Sequence, residues 1–198
     1  MKTIVIATNN KHKVYEFRSM FNNPNIEFKT LKEIGYDKDI VVDGNSFIEN
    51  ALIKARTVSR DLNCIAISDD SGLEVRALNW APGIYSARYA GGHDDLENNK
   101  LLIKNLKGIE DRFARYACAI AICYPNGDEL TEIAYCEGKI IDTLLGENGF
   151  GYDPYFYVDE YNKTLAQVSL EEKNKISHRA KAIRKIKEKI DEDFNVIR

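Results

Sequence analysis

Three loops of this chain, each read as following a buried strand, and a segment opening the last helix carry residues that could do chemistry. Thr8-Asn9-Asn10-Lys11-His12-Lys13 places a hydroxyl, two amides and two lysines just ahead of a stretch with helical spacing. Backbone N–H groups at a helix start and lysine ammonium groups both attract anions, so this segment suits a phosphate. It contains no glycine and is not a P-loop; capping by Thr8 or Asn10, with the lysines solvated, accounts for the same residues. Asp69-Asp70-Ser71-Gly72 sets two carboxylates side by side after Cys64-Ile65-Ala66-Ile67. Ionised neighbours repel, and a hard divalent cation such as Mg²⁺ removes that cost. A carboxylate beside a metal-held water can also serve as a general base. The competing reading is a polar turn, for which Asp-Ser-Gly is common material. Gly149-Phe150-Gly151-Tyr152-Asp153-Pro154 offers close backbone approach, aromatic rings able to stack on a nucleobase, and a carboxylate able to accept from its N–H edge. By composition alone the reading as a turn with a core aromatic prevails. Ser177-His178-Arg179, preceded by Lys173, opens the last helix with either a serine cap or ligand-binding side chains.

These segments need elements to hold them. Thr3 to Ala7 is a short β-branched run expected as a buried strand, followed by a helix marked by Val14, Phe17, Met20 and Phe21. A second strand fits Ile26 to Phe28. Ser46-x-x-Glu49 is a capping box ahead of an apolar stripe of Phe47, Ala51, Ala55, Val58 and Leu62. Cys64 to Ile67 reads as a strand ending at the Asp69-Asp70 turn, Leu73 to Leu78 as extended, and Leu96 to Leu106 as a helix. Phe113 to Tyr124 and Glu129 to Glu137 flank Pro125-Asn126-Gly127-Asp128, a hairpin with an Asn-Gly turn. Tyr155 to Val158 is a further strand. A second capping box, Ser169-x-x-Glu172, precedes a C-terminal helix carrying Ile176, Ala180, Ile183, Ile186 and Ile190. Early β-α units, a central hairpin and a final helix predict an α/β fold on one mixed sheet.

Composition narrows the function classes. A length of 198 residues fits one domain, residues 1–198, able to bury a sizeable core. The 28 basic and 31 acidic residues leave a net charge of −3, which is no footprint for wholesale nucleic-acid binding. The longest wholly apolar run, Ala117 to Tyr124, is far shorter than the ~20 residues of a membrane span. No signal peptide is expected, and Cys64, Cys118, Cys123 and Cys136 form no C-x-x-C pair, consistent with free thiols in a reducing cytoplasm.

Taken together the segments form a pattern. Ala7-Thr8-Asn9-Asn10-Lys11-His12-Lys13, Phe47-Ile48-Glu49-Asn50-Ala51, Asp69-Asp70-Ser71-Gly72-Leu73, the stretch from Ala81 to Gly91, Phe150-Gly151-Tyr152-Asp153-Pro154 and Ser177-His178-Arg179 occur in this order. The set resembles the inosine/xanthosine triphosphate pyrophosphatase family of house-cleaning nucleotide hydrolases. The resemblance implies an elongated mixed β-sheet flanked by helices, in two lobes with a central cleft, and a homodimer. It implies Mg²⁺-dependent hydrolysis of a nonstandard purine triphosphate (ITP, dITP or XTP) to monophosphate and pyrophosphate. Carried over by position, Asp70 is the general base and a metal carboxylate. Thr8 to Lys13, among them Asn9, Lys11 and His12, hold the phosphates, and Ser71 contacts the substrate. Phe150, Gly151, Tyr152, Asp153, Lys173, His178 and Arg179 line the nucleotide site, with the base near Phe150, Asp153, His178 and Arg179. The family pattern has an acidic residue where this chain has Val42, so Asp43, Glu49 and Asp69 are the candidates for a second metal carboxylate. The alternatives are a Maf-type pyrophosphatase acting on other modified nucleotides and a nucleotide-binding protein without turnover.

Overall fold

In a computed structural model, residues 1–195 are described, and seven strands form one mixed sheet with helices on it. Chain order is β1 (Lys2–Ile6), α1 (Lys11–Met20), β2 (Ile26–Thr30), α2 (Phe47–Leu62), β3 (Ile65–Val75), α3 (Asp95–Asn105), β4 (Phe113–Cys123), β5 (Glu129–Ile140), β6 (Phe156–Val158), β7 (Lys163–Thr164), α4 (Leu170–Ile176) and α5 (His178–Asn195). The sheet runs β2-β1-β3-β4-β5-β6-β7. Strand β1 pairs in parallel with β2 and β3, while β6 is antiparallel to β5 and β7. This is the mixed α/β class the element order predicts.

Two compact units divide the chain. Among the described residues the first comprises 1–70, 118–134 and 179–195; the second comprises 71–117 and 135–178. In the first, Ile4, Ile6, Ile67, Ile120 and Ile122 from the strands meet Phe17 and Phe21 beside α1 and Ala182, Ile183, Ile186 and Ile190 of α5 in one apolar cluster. In the second, Leu73, Val75, Tyr116, Ile140 and Phe156 from the strands pack with Leu102 and Leu106 beside α3.

Several elements depart from the sequence expectation, each for a local reason. Strand β3 does not stop at Ile67 but runs through Asp69 and Asp70 to Val75. Its partner β1 ends first, at the register pair Ile6–Ile67, and Ala7 N–H closes that edge on Ile67 O at 2.8 Å. The two aspartates therefore lie mid-strand, just past the carboxyl end of β1, rather than in a turn. The Ser46 box is half formed: Ser46 Oγ accepts from Glu49 N–H, but the Glu49 carboxylate caps Asn45 N–H at 2.6 Å instead of Ser46 N–H. The Ser169–Glu172 box is complete. Leu62 is exposed and outside the core stripe. The expected C-terminal helix is two helices broken at Ser177, and Ile176 belongs to α4. The Asn-Gly turn is present, with Gly127 N–H donating to Tyr124 O at 3.0 Å. The four cysteines are free thiols.

Candidate active site

Loop Ala7–Asn10 connects β1 to α1, and its polar side chains first organise the loop itself. Thr8 Oγ1 accepts from Asn10 N–H at 3.1 Å. Asn10 is the N-cap of α1, its Oδ1 accepting from His12 and Lys13 N–H at 3.0 and 3.3 Å. Thr8 and Asn10 thus act as the capping reading of the sequence requires, which leaves the loop backbone and the lysines to face an anion. Thr8, Asn9 and Lys11 also border a hollow of about 920 Å³ shared with Tyr15 and Tyr36.

Lys13 turns inward. Its ammonium lies 3.2 Å from Asp69 Oδ1, and Asp69 Oδ2 lies 3.3 Å from Arg179 Nε. Arg179 Nη1 meets Glu16 Oε2 at 2.6 Å. Burial alone would raise the Asp69 pKa; Lys13, Arg179 and Lys54 overcome it and hold the carboxyl well below the usual range. Asp69 is therefore a fixed anion with a cation at each of its two oxygens. Arg179 is buried, and burial of its charge is outweighed by Asp69 and Glu16, which raise its pKa. Nε and Nη1 of Arg179 thus each meet a carboxylate.

Asp70 differs from its neighbour. Its side chain is 19% exposed, Oδ2 accepts from Asn50 Nδ2 at 3.3 Å, and Lys54 Nζ stands 3.6 Å from Oδ1. Lys54 also donates to the Asp69 carbonyl. Burial raises the Asp70 pKa, and Lys54 and Lys13 only partly oppose it. Lys54 in turn is lowered by burial and by Lys13. A half-buried carboxylate with a raised pKa, beside two ammonium groups, is equipped to take a proton near an anionic substrate. Asn50 Oδ1 is buried and has no hydrogen-bond partner among the described residues. That hard oxygen and the Asp70 carboxylate fit a hard cation. Glu49 caps Asn45 N–H, and no three acidic, imidazole or thiol groups converge among the described residues.

The second unit holds the remaining residues. Asp153 is buried, and its Oδ2 accepts from Lys173 Nζ at 2.9 Å and from Phe150 N–H at 3.2 Å. The same oxygen would lie 2.2 Å from a Cβ at Gly149, so only glycine fits there. Asp153 thus ties the loop together instead of standing free for a base edge. The Phe150 ring is 38% exposed, with Lys173 Nζ 5.0 Å from its centroid. Tyr152 is buried and donates to Ser86 O at 2.6 Å. The His178 ring lies flat on Tyr116, centroids 4.8 Å apart. Burial and the Asp153 carboxylate push the Tyr116 phenol well above its usual range. Gly151 occupies a left-handed conformation with φ +62°, and Ser71 follows Asp70 on β3.

Sequence reading missed Lys54, Asn50 and Glu16. Asn50 and Lys54 are i, i+4 on α2 beside the Ala51/Ala55 stripe, and Glu16 is i+3 from Lys13 on α1. A charged or amide residue bordering an apolar stripe at helical spacing was the available signal.

The Ham1 family model matches residues 4–189. A dITP/XTP pyrophosphatase of Bacillus anthracis is 48% identical over 98% of this chain and 98% of its own length. A dITP/XTP pyrophosphatase of Desulfotalea psychrophila is 49% identical over 93% of this chain and 83% of its own. The solved Ham1 protein of Staphylococcus aureus is 42% identical and superposes with a TM-score of 0.91 over 97% of this chain and all of that one. With that coverage in sequence and in fold, and with the loop, strand and helix motifs in one order along the chain, this protein belongs to the Ham1 family.

Proposed function

We propose that this protein hydrolyses deaminated purine nucleoside triphosphates (ITP, dITP and XTP) to the monophosphate and pyrophosphate. The observation that carries the reading is the half-buried Asp70 carboxylate set between Asn50 and Lys54, beside the fixed Lys13–Asp69–Arg179–Glu16 chain. Relatives 48% identical over nearly the whole chain bear the name dITP/XTP pyrophosphatase.

In this reading Lys13 and Lys54 neutralise the polyphosphate, and the Thr8–Lys13 backbone presents N–H groups to it. Asp70 takes a proton from the attacking water. The water oxygen bonds the α-phosphorus as the α–β bridging bond breaks, and pyrophosphate leaves with the bond electrons. The Asn50 amide holds Asp70 Oδ2, which leaves Oδ1 on the Lys54 side. Asp70 and the Asn50 oxygen are the residues that would hold Mg²⁺. When bound, Mg²⁺ supplies charge neutralisation on the phosphates and a more acidic water. The exposed Phe150 ring offers a stacking face for the base. Lys173 has donors only, and its ammonium keeps N–H groups beyond the one given to Asp153; a 6-keto oxygen accepts from such a donor, whereas a 6-amino group meets it donor to donor. A homodimer and a cytoplasmic location belong to the same reading. Trp80 and Tyr85 leave exposed apolar surface for self-association, which light scattering would report as a mass of one chain or two.

Pyrophosphate release from inosine triphosphate tests the reading. Activity is expected to require a divalent cation, with Mg²⁺ sufficient, because the donors at Asp70 are hard oxygens. Full turnover in excess chelator, or orthophosphate as the sole product, would contradict it.

A further inference from the structure

The loop that presents Phe150 is held from outside by one helix. Gly151 donates its N–H to Asp95 Oδ2 at 2.9 Å and accepts at its carbonyl from Asn99 Nδ2, also at 2.9 Å. Asp95 and Asn99 are i, i+4 on α3, so one helix face takes both polar groups of a single residue. On the other side of Phe150, its own N–H is fixed on Asp153. Both peptides flanking the exposed ring are therefore anchored, and Lys173 Nζ stands over the ring itself. We propose that Asp95 and Asn99 are positioning residues for base recognition: together they clamp Gly151 and so fix the backbone from which the Phe150 ring is presented. The inference rests on the reading that Phe150 carries the base.

The two residues differ in what they must supply. Asp95 needs only an acceptor, which asparagine retains. Asn99 needs a donor, which aspartate lacks, and its two oxygens would then face the Gly151 carbonyl. Asp95 is exposed and its replacement leaves the core untouched, whereas Asn99 is buried.

The test is calorimetric binding of inosine monophosphate and of inorganic pyrophosphate, with amide hydrogen exchange across residues 149–153. Asp95→Ala is expected to weaken inosine monophosphate by up to about tenfold, the scale of one lost hydrogen bond, and to leave pyrophosphate binding unchanged. Asp95→Asn should bind like the wild type, and Asn99→Asp like Asp95→Ala or worse. In turnover, KM for inosine triphosphate rises while kcat holds, as loss of uniform binding requires. Exchange in the loop accelerates in Asp95→Ala and Asn99→Asp. Wild-type exchange and wild-type affinity for inosine monophosphate in Asp95→Ala would overturn the clamp, even if Asn99→Asp fails to fold. Phe150→Ala separates the two claims. If that variant loses affinity for inosine monophosphate but Asp95→Ala does not, the clamp is wrong and the base site stands. If Phe150→Ala binds like the wild type, the base site itself is misassigned.

Discussion

Asp70→Asn is expected to fold as the wild type does and to lower kcat for inosine triphosphate by about 10²–10⁴-fold, the range general-base catalysis supplies. The replacement keeps the shape, and its carbonyl oxygen can still accept from Asn50 Nδ2. It cannot take a proton, and it removes one negative charge from the side that would face a cation. The environment points the same way. Burial raises the Asp70 pKa and Lys54 and Lys13 only partly lower it, so the group is a stronger base than an exposed aspartate. Wild-type turnover should therefore fall as the pH drops through that raised value. Pyrophosphate release and thermal unfolding, measured side by side, check the prediction; a folded variant with near-normal release would remove Asp70 from the mechanism.

The second large effect falls on stability. Arg179 is the shared partner of two buried carboxylates, Asp69 and Glu16. Arg179→Met fills most of the volume but leaves both acids without it, and stripping one partner from a buried ion pair typically costs about 3–5 kcal/mol. At this chain length that lowers Tm by about 6–20 °C. The sign with pH follows from Asp69. Its folded pKa is depressed, so its stabilisation is present above the unfolded value of about 3.9 and is lost as the pH falls through the folded value. The gap between wild type and variant should be widest at neutral pH and should close in acid, where Asp69 takes up its proton. A companion change, Glu16→Gln, should recover part of the loss by removing one unpaired charge. Unchanged Tm at neutral pH would show that the Glu16–Arg179–Asp69 chain carries no net stabilisation. An inosine-to-adenosine selectivity that collapses in a folded Arg179 variant would place Arg179 in the base site.

Much of the frame was legible in the residues. Capping residues, the Asn-Gly turn and the apolar stripes of α2 and α5 are local signals, and the structure forms the elements they mark. The extent of β3 was not legible, because it depends on where β1 stops, a pairing fact absent from the local sequence. The same limit governs the site. Asp69 and Asp70 are adjacent in sequence and chemically identical there; only burial and the lysines and arginine brought in from α1, α2 and α5 hold one carboxyl low and leave the other raised. Asp153 and Arg179 carry groups that suit a purine edge, but their partners, Lys173 and Phe150 N–H for the first and Glu16 and Asp69 for the second, lie 3 to 163 positions away in the chain. Glu16 and Lys54 have no mark of their own in the local sequence, because burial is not written in residue type.

One measurement bears most directly on the central claim: kcat/KM for inosine, xanthosine, adenosine and guanosine triphosphates with Mg²⁺, detecting pyrophosphate and orthophosphate separately. The expected result is pyrophosphate as product, with inosine and xanthosine triphosphates preferred over adenosine triphosphate by a factor that can reach about 10⁴ in a well-built site. Equal rates on adenosine and inosine triphosphates, or tight binding of both with no product at all, would contradict it.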